Sequence, residues 1–136
     1  MVVQWTMIEN LRKLVRKVKN YLAPPGIVII NGVSVKVGEY TYGVEYLNIL
    51  NGAYYGISYS GTSTGRIENC NFIDNDFGLK FFDTSSVEVK NSNFVGCGTY
   101  GLGLYSMEPN IDVSYCNFWE NTDGDLQENC PGWGNI

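Results

Sequence analysis

The chain has 136 residues, of which 44% are hydrophobic and 14% aromatic, and it carries a net charge of −5. This length allows one domain with a small core, and the aromatic content argues against disorder. The chain has no apolar run of about 18 residues, which disfavours a membrane-spanning helix, and its acidic balance disfavours nucleic acid as a partner.

Residues 1–25 are predicted to form an N-terminal amphipathic helix. Apolar residues recur with helical spacing between Trp5 and Leu22, and Pro24 and Pro25 end the pattern. We expect this helix to cap the first coil of the repeats that follow it. The alternative is that it binds an anionic membrane or a groove on a partner, because it carries five basic residues against one acidic residue. Its charges interrupt the apolar positions, so we expect no signal peptide.

Residues 26–127 are predicted to form a parallel β-helix of about four to five coils. An Asn that precedes an apolar residue returns in steps of 23, 22 and 24, at positions 48, 71, 93 and 117. A glycine that precedes a second strand keeps the same period, at Gly56, Gly78, Gly101 and Gly124. Fixed-period similarity with short alternating strands is typical of a solenoid, in which each coil buries its apolar side against its neighbours.

The alternation of apolar and polar residues predicts which side chains point inward. We expect two inward columns of large side chains and a third inward column of mostly small residues: Ile49, Phe72, Phe94 and Phe118; Ile57, Leu79 and Leu102; Leu47, Cys70, Ser92 and Cys116. The asparagines at 48, 71, 93 and 117 are expected at a bend, where stacked amides can bond each other. The glycines at 56, 78 and 101 are expected at other corners, with positive φ.

Two segments resemble a known family. Repeats of right-handed parallel β-helices are similar to residues 69–79, Asn-Cys-Asn-Phe-Ile-Asp-Asn-Asp-Phe-Gly-Leu, and to residues 87–94, Val-Glu-Val-Lys-Asn-Ser-Asn-Phe. That superfamily includes pectate lyases, polygalacturonases, alginate epimerases and phage tailspikes. The resemblance covers roughly residues 42 to 127. It implies the fold and an extracellular, virion or cell-surface location, and it implies almost nothing about a reaction.

Four cysteines, at positions 70, 97, 116 and 130, have no spacing typical of a metal site, and the chain has no histidine. We predict buried thiols that act as small hydrophobic residues. Cys70 and Cys116 share a column but stand two coils apart, which is too far for a disulfide. A bridge between Cys97 and Cys130 is the alternative.

Three residues are weak candidates for catalysis: Asp74, Asp76 and Arg66. The resemblance implies them, because β-helix enzymes that cut uronic-acid polymers use carboxylates, often with Ca²⁺, and a basic residue on one exposed face. The other interpretation is that aspartates at bends serve the turns and that charged strand residues pair between coils. We therefore predict no cofactor and no metal, with Ca²⁺ only under the enzyme alternative. A Ser-His-Asp triad is impossible without histidine.

Aromatic residues precede the corner glycines at the period of the coil. Tyr55, Phe77 and Tyr100 stand in steps of 22 and 23, and Tyr54 lies beside the first of them. If these rings point outward, they form a ladder on which sugar rings can stack; if they point inward, they belong to the core. We predict these four residues as the ligand-binding site.

The repeat skeleton, without a convincing catalytic constellation, favours a non-catalytic module with a structural, self-assembling or carbohydrate-recognition role. The alternative function is a polysaccharide lyase or hydrolase that acts on an acidic polymer. Residues 128–136 are predicted to be an irregular tail that is too short to cover the last coil. We therefore expect self-association into an oligomer or a filament, with Trp119 and Trp133 near the contact. Polysaccharide is the other expected partner.

Overall fold

The computed structural model describes residues 2–5, 27–32, 35–38, 42–105 and 109–126. Each regular element in these ranges is a β-strand, in agreement with the predicted all-β class. The strands in chain order are β1 Val2–Trp5, β2 Ile27–Asn31, β3 Val35–Gly38, β4 Tyr42–Glu45, β5 Leu47–Leu50, β6 Ile57–Tyr59, β7 Thr64–Glu68, β8 Asn71–Ile73, β9 Leu79–Phe81, β10 Ser86–Lys90, β11 Asn93–Val95, β12 Tyr100–Leu104, β13 Asn110–Ser114, β14 Asn117–Trp119 and β15 Gly124–Leu126.

The strands form three parallel sheets. Sheet 1 has the order β1-β2-β5-β8-β11-β14, sheet 2 the order β3-β6-β9-β12-β15, and sheet 3 the order β4-β7-β10-β13. From β2 onward, successive strands along the chain enter different sheets, so the chain winds as a parallel β-solenoid. The path from Leu47 to Cys116 makes three full turns, and within it the structure describes every residue except 106–108. Strands β1 to β4 extend the sheets on the N-terminal side, and the count of four to five coils stays a prediction.

The predicted inward columns are confirmed. Phe94 pairs in register with Phe72 on one side and with Phe118 on the other, and its ring centroid lies 4.9 Å from each of theirs. A slip of one residue would turn every inward side chain outward, so this core fixes the register. Two further buried columns complete the interior, in sheet 2 and sheet 3 respectively: Tyr59, Phe81 and Leu104; Ile67, Val89 and Val113.

Residues in the left-handed region mark the corners on both sides of sheet 1. The corner before the sheet has φ between 48° and 56°, at Tyr46, Asn69, Asn91 and Tyr115. The corner after the sheet carries Gly32, Asn51, Asp74, Gly96 and Glu120. Glycine, asparagine and aspartate adopt this conformation at the lowest cost, which explains why they dominate here. The asparagines that were expected at a bend lie on the sheet 1 strands instead, two residues after the first corner.

Asparagine side chains stack between turns along sheet 1, as predicted. The Nδ2 group of Asn71 donates to Oδ1 of Asn48 at 2.8 Å, and the Nδ2 group of Asn93 donates to Oδ1 of Asn71 at 2.7 Å. These side chains are half-buried on the outer face of the sheet. The ladder therefore joins three successive turns outside the core.

The prediction of positive φ at Gly56, Gly78 and Gly101 is wrong, because the described residues with positive φ do not include them. Lack of space explains these glycines. A Cβ on Gly78 would lie 2.4 Å from the carbonyl oxygen of Gly101 and 2.6 Å from Cδ1 of Phe94. The fourth predicted marker, Gly124, is out of register by one residue, since it pairs with Tyr100.

The two ends of the chain differ from expectation where they are described. Trp5 ends strand β1, which pairs with β2, so it does not begin the predicted helix. The β-branched residues of β1 favour a strand. Residues 6–26, which hold the rest of the predicted cap, lie outside the described residues. At the other end Val113 and Phe118 are buried although their turn is the last complete one among the described residues. Trp133 lies outside the described residues.

Three cysteines are buried free thiols, at positions 70, 97 and 116. Loss of hydration on burial raises the pKa of Cys70 and that of Cys97 to about 11, and it also raises the pKa of Cys116. These residues act as small hydrophobic residues, as predicted. The alternative bridge involves Cys130, which lies outside the described residues.

Candidate ligand-binding groove

An open groove lies on the outer face of sheet 2, across strands β6, β9 and β12. Its volume is about 280 Å³. Five aromatic side chains, one lysine and one aspartate line it: Tyr54, Tyr55, Phe77, Phe82, Tyr105, Lys80 and Asp76. A concave aromatic surface with a few polar groups is the usual composition of a ligand site.

The first wall of the groove is part of the predicted aromatic column: Tyr55 and Phe77 line the groove, whereas Tyr100 contacts Phe77 and does not line it. Tyr55, Phe77 and Tyr100 are half-buried, and the rings of Phe77 and Tyr100 stack with centroids 6.3 Å apart and planes 29° apart. Stacked rings cover each other's faces, so this wall presents mainly ring edges. Tyr54 beside it is 72% exposed. The four predicted residues therefore differ in what they can offer a ligand.

A second aromatic wall follows the strands of sheet 2. Phe82 and Tyr105 lie one turn apart with ring centroids 5.1 Å apart, and Tyr105 is 73% exposed. Sequence reasoning missed this wall. The signal was present, because positions 82 and 105 are 23 residues apart, which is the period of the coil. Ser60 stands in the equivalent place one turn earlier and hides the pattern.

Lys80 forms the floor between the two walls. It is the outward residue of β9, because Leu79 and Phe81 on either side of it are fully buried. Its Nζ atom lies 3.5 Å from the centroid of the Phe77 ring, in cation–π geometry. Loss of hydration in the groove lowers the pKa of Lys80, and the nearby Asp76 carboxylate opposes this effect. The floor thus holds an ammonium group and a carboxylate in an aromatic setting.

The turn that presents Asp76 and Phe77 is fixed by Asn75, which sequence reasoning did not single out. The side-chain oxygen of Asn75 accepts a hydrogen bond from the backbone N–H of Gly52 at 2.8 Å, and its Nδ2 group donates to the carbonyl of Ile49 at 2.9 Å. A buried amide with both ends bonded holds its turn rigidly against the previous one. The first wall therefore has a defined position.

Comparison with known proteins places the chain in a family. The family described as "Right handed beta helix region" matches residues 24–130, which is most of the chain. The protein belongs to the right-handed β-helix family. No curated protein and no solved structure matches the chain with significance.

The β-helix does not bring the three catalytic candidates together. Asp74 and Asp76 lie on the turn between β8 and β9, whereas Arg66 lies on β7 in sheet 3. Asp76 lines the groove, and Asp74 is exposed at a corner with φ of 55°. The basic residue that does share the groove with Asp76 is Lys80. Arg66 therefore does not share the groove with Asp76.

Arg66 belongs to a network of ion pairs on the outer face of sheet 3. Its guanidinium contacts Glu68 at 3.0 Å and Glu88 on the next turn at 3.4 Å, and Lys90 contacts Glu88 as well. The hydrogen bond from Lys90 lowers the pKa of Glu88. The predicted pairing of charges between coils accounts for Arg66.

Neither a metal-binding cluster nor a membrane-spanning helix occurs among the described residues. Within them, no group of three or more His, Cys, Asp and Glu side chains could hold a metal ion. In the same ranges the β-helix has no helix that is long and apolar enough to cross a membrane.

Proposed function

We propose that this β-helix is a non-catalytic module that binds carbohydrate in the sheet 2 groove. The observation that carries the proposal is a pair of highly exposed tyrosines, Tyr54 at 72% and Tyr105 at 73%, beside a groove lined with further aromatic rings. Large exposed aromatic side chains that cluster around one concavity usually mark a binding site.

Sugars suit the chemistry of this groove. A pyranose ring has apolar faces and a polar rim, and a tyrosine offers a flat apolar face with a hydroxyl at its edge. Lys80 donates and Asp76 accepts hydrogen bonds at the floor, which would serve the hydroxyls of a ligand. Nucleic acid, which also stacks on aromatic rings, is disfavoured by the net charge of −5.

Affinity electrophoresis through gels that contain single polysaccharides, both neutral and acidic, tests the proposal. We expect at least one polymer to retard the protein, and Tyr105→Ala to weaken that binding by about fivefold or more, as loss of an aromatic contact does. Tyr46→Ala is the matched control, because Tyr46 is 67% exposed but lies at a corner of sheet 1. Equal loss in the two variants, or no retardation by any polymer, would contradict the proposal.

A lyase or hydrolase acting on an acidic polymer is the second candidate function. Asp76 and Lys80 favour it, because both line the groove and the pKa of Lys80 is lowered, which makes a neutral amine easier to form. Under this candidate, acidic polymers gain new unsaturated or reducing ends on incubation with the protein, and Asp76→Ala abolishes them. Asp112→Ala, on sheet 3, is the control that keeps activity. No new ends with any acidic polymer, with or without Ca²⁺, would remove this candidate.

A further inference from the structure

The two most exposed groove residues stand at opposite corners of sheet 2. Tyr54 precedes β6, and Tyr105 follows β12, which is two strands further along the sheet. Both rings line the same groove. They therefore lie on a diagonal across three neighbouring strands.

The length of this diagonal sets the size of a ligand that touches both rings. Two strand spacings of about 4.8 Å separate the two backbones along the solenoid axis, and about six residues at 3.3 Å separate them across the sheet, which puts their Cα atoms on the order of 20 Å apart. The two side chains cover part of this distance, and one sugar ring is too short to cover the rest. A ligand that contacts both tyrosines is therefore a chain of rings.

Two polar groups lie along the diagonal. Ser58, Lys80 and Gly103 occupy the same position on three successive strands, but Ser58 and Gly103 are buried, so only Lys80 of the three lines the groove. Its ammonium lies over the ring of Phe77, and Asp76 lines the groove beside it. A ligand that runs between the two tyrosines therefore has Lys80 as a donor and Asp76 as an acceptor of hydrogen bonds.

We propose that the groove takes a linear oligosaccharide lying obliquely across β6, β9 and β12, with Tyr54 and Tyr105 stacking on rings near its two ends. This inference rests on the proposed function and adds the length and direction of the ligand. A short sugar reaches one tyrosine at a time, whereas a long one engages both and gains from the second contact without a second association cost.

Calorimetric titration with sugars of defined length tests this geometry. The probes are linear β-1,4-linked glucose oligomers and linear galacturonate oligomers, each from monomer to hexamer. For the series that binds, we expect affinity to rise by about tenfold or more between the dimer and the length that spans both tyrosines, and then to level off. Tyr54→Ala and Tyr105→Ala should each weaken hexamer binding by about fivefold or more and dimer binding by about twofold at most.

The controls separate this inference from the proposed function. Tyr46→Ala should leave the whole series unchanged. If monomer and hexamer bind equally well, or if one tyrosine variant leaves hexamer binding intact, the spanning geometry is overturned while carbohydrate binding stands. If no sugar in either series and no polymer in the gel assay binds, both the proposed function and this inference are overturned.

Discussion

Three glycines follow one another up the solenoid where strands of sheet 2 begin, at 56, 78 and 101. At each of them a Cβ would come within 2.9 Å of a carbonyl oxygen on the next turn. The backbones can approach the phenylalanine column only because these side chains are missing. A single residue type thus sets the distance between a sheet and the core beneath it.

Gly78→Ala should therefore destabilise the protein by about 1–3 kcal/mol, because overpacking forces backbone or ring shifts. Gly98→Ala is the matched control: its nearest neighbour would be the movable carboxylate of Asp76 at 3.2 Å. We expect that variant to stay within about 1 kcal/mol of the original protein. Urea unfolding measures both. Equal stability of the two variants would show that the sheet adjusts to a Cβ at 78.

The buried thiols should make stability fall at high pH. Burial raises the pKa of Cys70 and Cys97 from 9.0 to about 11, so the folded state holds these protons more tightly than the unfolded state. The stabilisation of the folded state by these protonated thiols is therefore complete below pH 9 and is lost as the pH rises towards 11. The free energy of unfolding should decline less steeply over this range in a Cys70→Ala/Cys97→Ala variant. Identical slopes would mean that other groups cause the decline.

At the scale of elements, the asparagine ladder on sheet 1 binds neighbouring strands through side chains as well as through the backbone. Asn71 is its middle member, since its amide donates to Asn48 and accepts from Asn93. Because the ladder lies outside the core, its loss leaves no cavity. Its contribution is therefore open to measurement by substitution.

Asn71→Ala should cost about 1–3 kcal/mol of unfolding free energy, since two side-chain hydrogen bonds are lost and their partners stay half-buried. Asn110→Ala is the matched control, because Asn110 is exposed at the start of β13. That change should alter stability by about 0.5 kcal/mol or less. Thermal and urea unfolding of the two variants decide the matter, and similar losses would mean that the ladder has no special role.

The sequence predicted the strands and the inward columns well, because a period of two within strands and about 23 between them leaves little freedom. It predicted the corners less well. A glycine can be required either by a positive φ or by lack of space for a Cβ, and the sequence does not show which of the two applies at Gly78. Trp5 fits a helical pattern equally well and yet ends a strand that gains its partner only in the fold.

The candidate site was only half predictable from the sequence. The column through Phe77 repeats over three turns and was visible. The wall formed by Phe82 and Tyr105 repeats over two turns and was not. The position of Lys80 over an aromatic ring depends on packing between two side chains, which no spacing in the sequence encodes. For Arg66 the sequence left two interpretations open, and the ion pairs with Glu68 on its own strand and Glu88 on the next turn agree with pairing between coils.

At the scale of the whole molecule, self-association stays a prediction, and Trp119 is its best-supported contact. Its side chain is 61% exposed on the outer face of sheet 1, next to Val95 on the neighbouring strand. The burial of Phe118 and Val113 directs attention to this outer face rather than to an open end of the core. Exposed tryptophans are frequent anchors of protein interfaces.

Light scattering across a range of protein concentrations should show a mass that rises with concentration. Trp119→Ser should move this rise to higher concentration by about fivefold or more, and Trp133→Ser tests the other predicted contact. Tyr46→Ser is the control for removal of an exposed ring elsewhere on the surface. A constant monomer mass at every concentration would disprove the prediction.

The repetition of Phe77 and Tyr100 at equivalent places has a consequence for engineering. Each turn carries its own corner residues and pairs with its neighbours by register, so a duplicated turn can be inserted without altering the others. A copy of residues 71–92, placed after residue 92, would add one aromatic ring to the first wall and one lysine to the floor. The groove would lengthen by one strand spacing of about 4.8 Å for each copy. The length of the groove along the solenoid axis is thus adjustable in steps of one strand spacing, by the number of inserted turns.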